Sequence, residues 1–198
     1  DKVHESHIGQ VFESVINAKQ KIGASPEIII AIGTGSVTEW GKIIASRLGV
    51  PLIAVPSAIS TNSPFTYKAS MQWQDVGIRS FNTGAANKVW CDWDFIQHFE
   101  RGNRSGRGDI LSIYTALADW KRAVEKGVEE PHNKEMKLTE EIFDELKQKA
   151  DVIKAHTQEA NSIVLDLLIR ISFLVMELGF VRSDLAGRPD AGSEHQLA

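Results

Sequence analysis

Residues 27–36 read EIIIAIGTGS, an apolar and largely β-branched run that ends directly in a glycine turn. Such a continuous run is typical of a strand in a parallel sheet, buried on both of its faces. In residues 37–48 the apolar positions repeat at helical spacing, and Gly49 follows them as a helix stop. Residues 50–56 (VPLIAVP) predict a second strand. Together these segments predict a βαβ unit of a parallel sheet.

Around this unit the pattern changes near residue 100. Residues 12–22 have the spacing of a helix, and residues 88–96 (KVWCDWDFI) predict a third strand that runs into a turn. Beyond a joint rich in Gly and Arg at residues 103–109, the pattern predicts three helices, at residues 110–126, 139–156 and 162–178. The predicted fold class is therefore α/β, with a parallel-sheet domain over residues 1–100 and an all-helical domain over residues 101–198.

The composition limits the classes of function. The chain of 198 residues is 42% hydrophobic and 24% charged, with a net charge of −4 and no basic tract, so neither nucleic acid nor an anionic membrane is an expected partner. Its one cysteine, Cys91, excludes an internal disulfide and fits a reducing compartment, which predicts a cytoplasmic protein. The most apolar stretch, residues 163–178, contains charged residues and is shorter than the roughly 20 residues that span a bilayer. It predicts a core helix and no membrane span.

The glycine turn, residues 33–36 (GTGS), is the first candidate site. Glycines between a strand and a helix let a phosphate approach the backbone, and the helix N-terminus supplies N–H groups and a partial positive charge. The usual dinucleotide fingerprint is not met, because Thr38 stands where its third glycine would be. A pyrophosphate site and a plain tight turn both stay open on this pattern.

The second candidate site is the segment at residues 57–70, which is rich in Ser, Thr, Asn and Pro and predicts a loop. Loops at the carboxyl ends of parallel strands are where α/β proteins build their sites. Hydroxyl groups such as those of Ser60 and Thr61, the amide of Asn62 and the ammonium group of Lys68 suit a ribose or a phosphate. A solvated turn is the alternative.

Asp109 and His195 are candidate metal ligands. The sequence GRGD at residues 106–109 is predicted to open the first long helix. Asp109 is then either a first-turn carboxylate that stabilises the helix dipole or a ligand at the entrance of the helical domain. His195 follows a buried helix far along the chain, where a single histidine is more often structural. The spacing of the two residues alone does not define a metal site.

Four motifs together carry a family resemblance. They are residues 31–38 (AIGTGSVT), 55–62 (VPSAISTN), 106–112 (GRGDILS) and 192–195 (GSEH). In this order and approximate spacing they resemble the family that joins sn-glycerol-1-phosphate dehydrogenase, glycerol dehydrogenase, iron-containing alcohol dehydrogenases and dehydroquinate synthase. The resemblance implies a nucleotide-binding domain that lacks its amino-terminal strands, and a helical metal-binding domain that lacks its carboxyl-terminal part.

The resemblance also implies roles for individual residues. Contacts to an NAD or NADP cofactor map onto the glycine turn and the following loop, at Gly33, Thr34, Gly35, Ser36, Ser57, Ser60 and Thr61. Substrate contacts map onto Asn62 and Lys68. Asp109 and His195 match two of the three ligands of a divalent metal ion, expected to be zinc, with iron or nickel as alternatives. The third ligand, a histidine of a later His-Gly-Glu-type motif, has no counterpart before Ala198.

The activity that the resemblance implies is the reduction of dihydroxyacetone phosphate, or of a related small ketone phosphate, to glycerol 1-phosphate by a homo-oligomeric enzyme. A dehydroquinate synthase-like sugar-phosphate cyclase is the first alternative, because Asn62 and Lys68 are spaced like the Asp and Lys of the synthase loop. A truncated, catalytically incomplete remnant that keeps the scaffold is the second.

Overall fold

The computed structural model describes residues 26–73, 77–155 and 157–181. The helix predicted at residues 12–22 and the motif at residues 192–195 lie outside the described residues, so both stay predictions.

The predicted βαβ unit is confirmed. Strands β1 (Ile29–Gly33) and β2 (Leu52–Pro56) are adjacent and parallel, and helix α1 (Gly35–Leu48) connects them. The helix ends where Gly49 adopts a left-handed conformation with φ of 67° and donates its N–H back to the helix. That conformation strains any residue with a Cβ atom, which explains why a glycine marks this end.

The burial of β1 differs from the expectation that both faces of this strand are covered. Ala31 is buried, and a Cβ atom added to Gly41 would lie 2.6 Å from its Cβ atom, which shows how closely α1 packs on that face. On the opposite face Ile30 and Ile32 are 56% and 59% exposed. The expectation of burial on both faces is therefore wrong for the described part of the chain, because α1 covers only one side of the strand.

The loop predicted at residues 57–70 is shorter than expected and leads into a hairpin. A turn of 3₁₀-helix (Ser63–Phe65) is followed by the antiparallel strands β3 (Lys68–Trp73) and β4 (Gly77–Asn82). Strand β5 (Lys88–Val89) then pairs parallel with β2, which gives the sheet the order β1-β2-β5 and confirms the third predicted strand.

The remainder of the described chain is helical, as predicted, through residue 181. The helices are α2 (Trp93–Ile96), α3 (Glu100–Glu125), α4 (Asn133–Gln148), α5 (Ala150–Lys154) and α6 (Gln158–Val181). Their shared core is built from the buried side chains of Ile110, Ile113, Ile142, Leu146, Val164, Leu167 and Leu168. None of the helices described is both long and apolar enough to cross a membrane. The division into two domains stays a prediction.

The joint predicted at residues 103–109 is wrong, because these residues lie inside α3, which begins at Glu100. Glycine disfavours a helix interior, so the sequence pattern indicated a break. The structure gives the compensating contact: α3 packs so closely on the segment after β2 that a Cβ atom on Gly102 would lie 2.8 Å from the Cβ atom of Ala58. Tertiary packing thus overrides the local preference, and it brings α3 against the candidate site.

Candidate functional site

The ends of β1 and β2 bring the two predicted cofactor segments together. The N–H of Ser57 donates to the carbonyl oxygen of Gly33 at 2.8 Å. A Cβ atom added to Gly35 would lie only 2.5 Å from the Cγ2 atom of Thr61. The glycine turn and the loop after β2 are therefore in direct contact.

The N-terminus of α1 has the features of an anion site. Thr34 is its N-cap residue but makes no side-chain capping hydrogen bond, and the first turn carries no acidic residue. Free N–H groups and the positive end of the helix dipole favour a bound anion. Ser36, in the same turn, is exposed. These residues fit the pyrophosphate of a dinucleotide.

A buried asparagine that the sequence analysis missed fixes the start of the loop. The Oδ1 atom of Asn103 accepts from the N–H of Ile59 at 3.0 Å, and its Nδ2 atom donates to the carbonyl oxygen of Ile96 at 2.8 Å. Asn103 is 2% exposed, so both bonds are shielded from water. A polar residue among glycines is typical of a turn, so the sequence pattern did not indicate this role.

Asp109 lies beside the same loop. Its Oδ2 atom accepts from the N–H of Asn62 at 3.1 Å, although the two residues are far apart in sequence. The interpretation of Asp109 as a first-turn carboxylate is wrong, because α3 begins at Glu100 and Asp109 follows more than two turns later. The structure thus brings a predicted metal ligand to a predicted substrate residue.

Only part of the predicted metal site lies within the described chain. In residues 26–73, 77–155 and 157–181 there is no group of three or more metal-binding side chains. A carboxylate held on a long helix is a suitable oxygen ligand for a divalent ion, so Asp109 fits one position of such a site. His195, the second predicted ligand, lies outside the described residues, and its role stays a prediction.

Lys68 and Asn62 occupy different parts of the loop. Lys68 begins β3, and its Nζ atom lies 5.4 Å from the centre of the Tyr67 ring. Asn62 precedes the 3₁₀ turn and contacts α3 through its N–H. The predicted substrate role of each residue stays a prediction.

Two charged residues of α1 that the sequence analysis missed, the buried Lys42 and the half-buried Glu39, lie beneath the far end of the loop. Lys42 is 1% exposed, and its Nζ atom donates to Thr66 Oγ1 at 3.0 Å and to the carbonyl oxygen of Lys68 at 2.8 Å. The Oε1 atom of Glu39 accepts from the N–H of Ser70 at 3.2 Å. Burial raises the pKa of Glu39 and lowers the pKa of Lys42 to about 8, since each charge loses solvation.

The lowered pKa of Lys42 predicts a pH dependence of stability. Between its folded pKa of about 8 and its ordinary value of 10.5, the unfolded chain binds the proton more tightly than the folded chain. The free energy of unfolding should therefore rise across this window, by on the order of 3 kcal/mol. Below it, where the lysine is protonated in both states, the cost of burying the charge is fully present.

Urea unfolding at the two ends of this pH window measures the effect. The variant Lys42→Met should lose the rise, whereas Lys154→Met, at an exposed lysine of α5, should keep it. Parallel pH profiles for the wild type and Lys42→Met would show that Lys42 titrates equally in the folded and unfolded states.

Sequence comparison relates the chain to known oxidoreductases. The family model of iron-containing alcohol dehydrogenases matches residues 3–98. A glycerol-1-phosphate dehydrogenase (NAD(P)+) of Methanospirillum hungatei is 27% identical over 190 residues, covering 96% of this chain and 51% of the relative. That of Archaeoglobus fulgidus is 25% identical over 88% of this chain and 48% of its own length. The chain spans about half the length of these curated relatives.

Solved structures share the fold. A probable glycerol dehydrogenase from Sinorhizobium meliloti superposes with a TM-score of 0.64 at 18% identity, covering 87% of this chain and 51% of that one. Glycerol dehydrogenase from Schizosaccharomyces pombe gives a TM-score of 0.58 at 22% identity, with coverages of 75% and 40%. The family model, the curated relatives and the shared fold agree: the chain is similar to iron-containing alcohol dehydrogenases and glycerol-1-phosphate dehydrogenases.

Proposed function

We propose that the protein is an NAD(P)-dependent dehydrogenase that reduces a small ketone phosphate, such as dihydroxyacetone phosphate, to glycerol 1-phosphate with the help of a divalent metal ion. The observation that carries the proposal is the hydrogen bond of 3.1 Å from Asn62 to Asp109. It joins a candidate metal ligand to the loop that contacts the glycine turn. The names of the curated relatives support the substrate class. The cytoplasmic location and the homo-oligomeric assembly stay predictions from the sequence.

In this proposal the N-terminus of α1 binds the cofactor. The backbone N–H groups of the turn formed by Gly33, Thr34, Gly35 and Ser36 donate to the pyrophosphate, and the helix dipole stabilises its charge. The following loop, with Ser57, Ser60 and Thr61, borders the nicotinamide. The contact of Gly35 with Thr61 supports this arrangement, because it sets the two segments side by side.

Asp109 would hold the metal ion, proposed to be zinc, with iron or nickel as alternatives and His195 as a second ligand. A divalent ion supplies a Lewis acid that polarises a ketone oxygen and stabilises the developing alkoxide. The N–H of Asn62 orients the Asp109 carboxylate, and that orientation is set before any ligand binds. Asn62 and Lys68 would bind the substrate, with the ammonium group of Lys68 opposite the phosphate.

The proposal is tested with the purified natural protein, zinc, and NADH or NADPH, by following the absorbance of the reduced nicotinamide. Oxidation that depends on dihydroxyacetone phosphate, with glycerol 1-phosphate as the product, is the expected result. Phosphate release from a seven-carbon sugar phosphate without net oxidation would favour the cyclase instead. Cofactor binding with neither reaction would favour a catalytically incomplete remnant.

A further inference from the structure

The loop after β2 is attached to the rest of the molecule at two separate ends. At its start, Ser57 bonds to the glycine turn, and Ile59 and Asn62 bond to side chains of α3. At its far end, Thr66 and Lys68 bond to Lys42 of α1. The 3₁₀ turn lies between these ends and begins directly after Asn62, so the position of this part of the loop depends on both attachments.

The far attachment is a compact buried network. Thr66, which is 8% exposed, receives a hydrogen bond from Lys42, and its own Oγ1 atom lies 3.3 Å from the carbonyl oxygen of Ser63 and 3.1 Å from that of Lys68. One ammonium group thus connects, directly or through Thr66, to both ends of the segment from Ser63 to Lys68. Burial makes these bonds strong, since water does not compete for them.

Glu39 completes the network from the same face of α1. It lies one helical turn before Lys42, and its carboxylate accepts from the N–H of Ser70 on β3. The attraction between the two charges offsets part of the cost of burying them. A buried lysine costs free energy if it serves packing alone, because an apolar side chain of similar volume would fill the same space.

We propose that Lys42 is a positioning residue: through Thr66 and the carbonyl oxygen of Lys68 it fixes the far end of the loop and thereby sets where Asn62 and Lys68 lie relative to the glycine turn. The inference rests on the proposed function, in which this loop binds the substrate. Lys42 acts through other residues and does not touch the substrate itself.

The kinetic test uses a double-mutant cycle in the natural protein. Lys42→Met removes the ammonium group, and Thr66→Val removes its hydroxyl partner at nearly constant volume. Lys42→Met should lower kcat/KM for dihydroxyacetone phosphate by roughly 100-fold, since a misplacement of about 1 Å has effects of that size. The dissociation constant of NADH should change by less than about threefold, because the glycine turn and the start of the loop keep their own hydrogen bonds to each other and to α3.

Adding Thr66→Val to Lys42→Met should cause little further loss, because both changes break the same connection. Lys154→Met is the control for removing a lysine from an exposed position. Losses that simply add, or an equal loss of NADH affinity, would show that Lys42 contributes only general stability and would overturn the proposal.

Hydrogen exchange separates this proposal from the proposed function. In Lys42→Met the backbone amides of Phe65 and Thr66 should exchange at least about tenfold faster, while the core amides of α3 and α6 keep their protection. If the wild type reduces no ketone phosphate, the proposed function fails, but this measurement still decides the role of Lys42. Unchanged exchange at Phe65 and Thr66 would overturn it.

Discussion

Replacing Asp109 by alanine should lower kcat/KM for ketone reduction by roughly a thousandfold, because the substrate would lose a Lewis acid that contributes several kcal/mol to transition-state stabilisation. Zinc content after dialysis should fall in the same variant. The change also removes the acceptor of the Asn62 N–H. A loss of activity by itself would therefore not distinguish a metal ligand from a residue that only holds the loop.

The variant Asp109→Asn makes that distinction. Its amide oxygen can still accept from the N–H of Asn62, but it lacks the negative charge that a divalent ion requires of this ligand. If Asp109 binds the metal, Asp109→Asn loses zinc and activity almost as fully as Asp109→Ala does. If Asp109 only anchors the loop, Asp109→Asn keeps both, and the metal-assisted mechanism has to be abandoned. Elemental analysis and steady-state kinetics on the two variants together measure the difference.

The βαβ unit could be predicted because its signals are local. The apolar run before Gly33 and the helix stop at Gly49 each reflect a preference of a few neighbouring residues, and the parallel pairing follows from the crossover length. Burial of β1 on both faces was predicted wrongly for the described chain. The composition of a strand shows that a face is apolar, but it does not show which element covers that face.

The site was predictable only in its outline. Asp109 was identified as a candidate ligand, but the prediction that it lies at the start of a helix was wrong. The glycines before it suggested a helix start, whereas Asp109 lies inside α3. Asn103 and Lys42 were missed, since each acts through contacts with residues distant in sequence. A lysine inside the apolar pattern of α1 is the one signal that the sequence offered for the buried network. A charged side chain on a buried face must find partners there.

At Gly106, helix α3 packs directly on the backbone of the loop after β2. The substitution Gly106→Ala should therefore be strongly destabilising. A Cβ atom at this position would lie 1.9 Å from the carbonyl oxygen of Ile59 and 3.1 Å from its carbonyl carbon. These are backbone atoms, and the N–H of the same residue is held by Asn103. The clash can be relieved only if α3 and the loop move apart, at a cost of about 3 kcal/mol in the free energy of unfolding.

Gly108→Ala is the matched control, two residues later in the same helix. A Cβ atom there would meet nothing within 4 Å, so the substitution should stabilise the protein by about 0.5–1 kcal/mol through the better helix propensity of alanine. Urea unfolding should thus shift in opposite directions for two identical changes. The movement of α3 in Gly106→Ala would also carry Asp109 away from Asn62, so zinc affinity should fall in this variant and stay unchanged in Gly108→Ala. If both variants were equally stable, α3 would not press against the Ile59 carbonyl, and the contact that brings Asp109 to the loop would need another explanation.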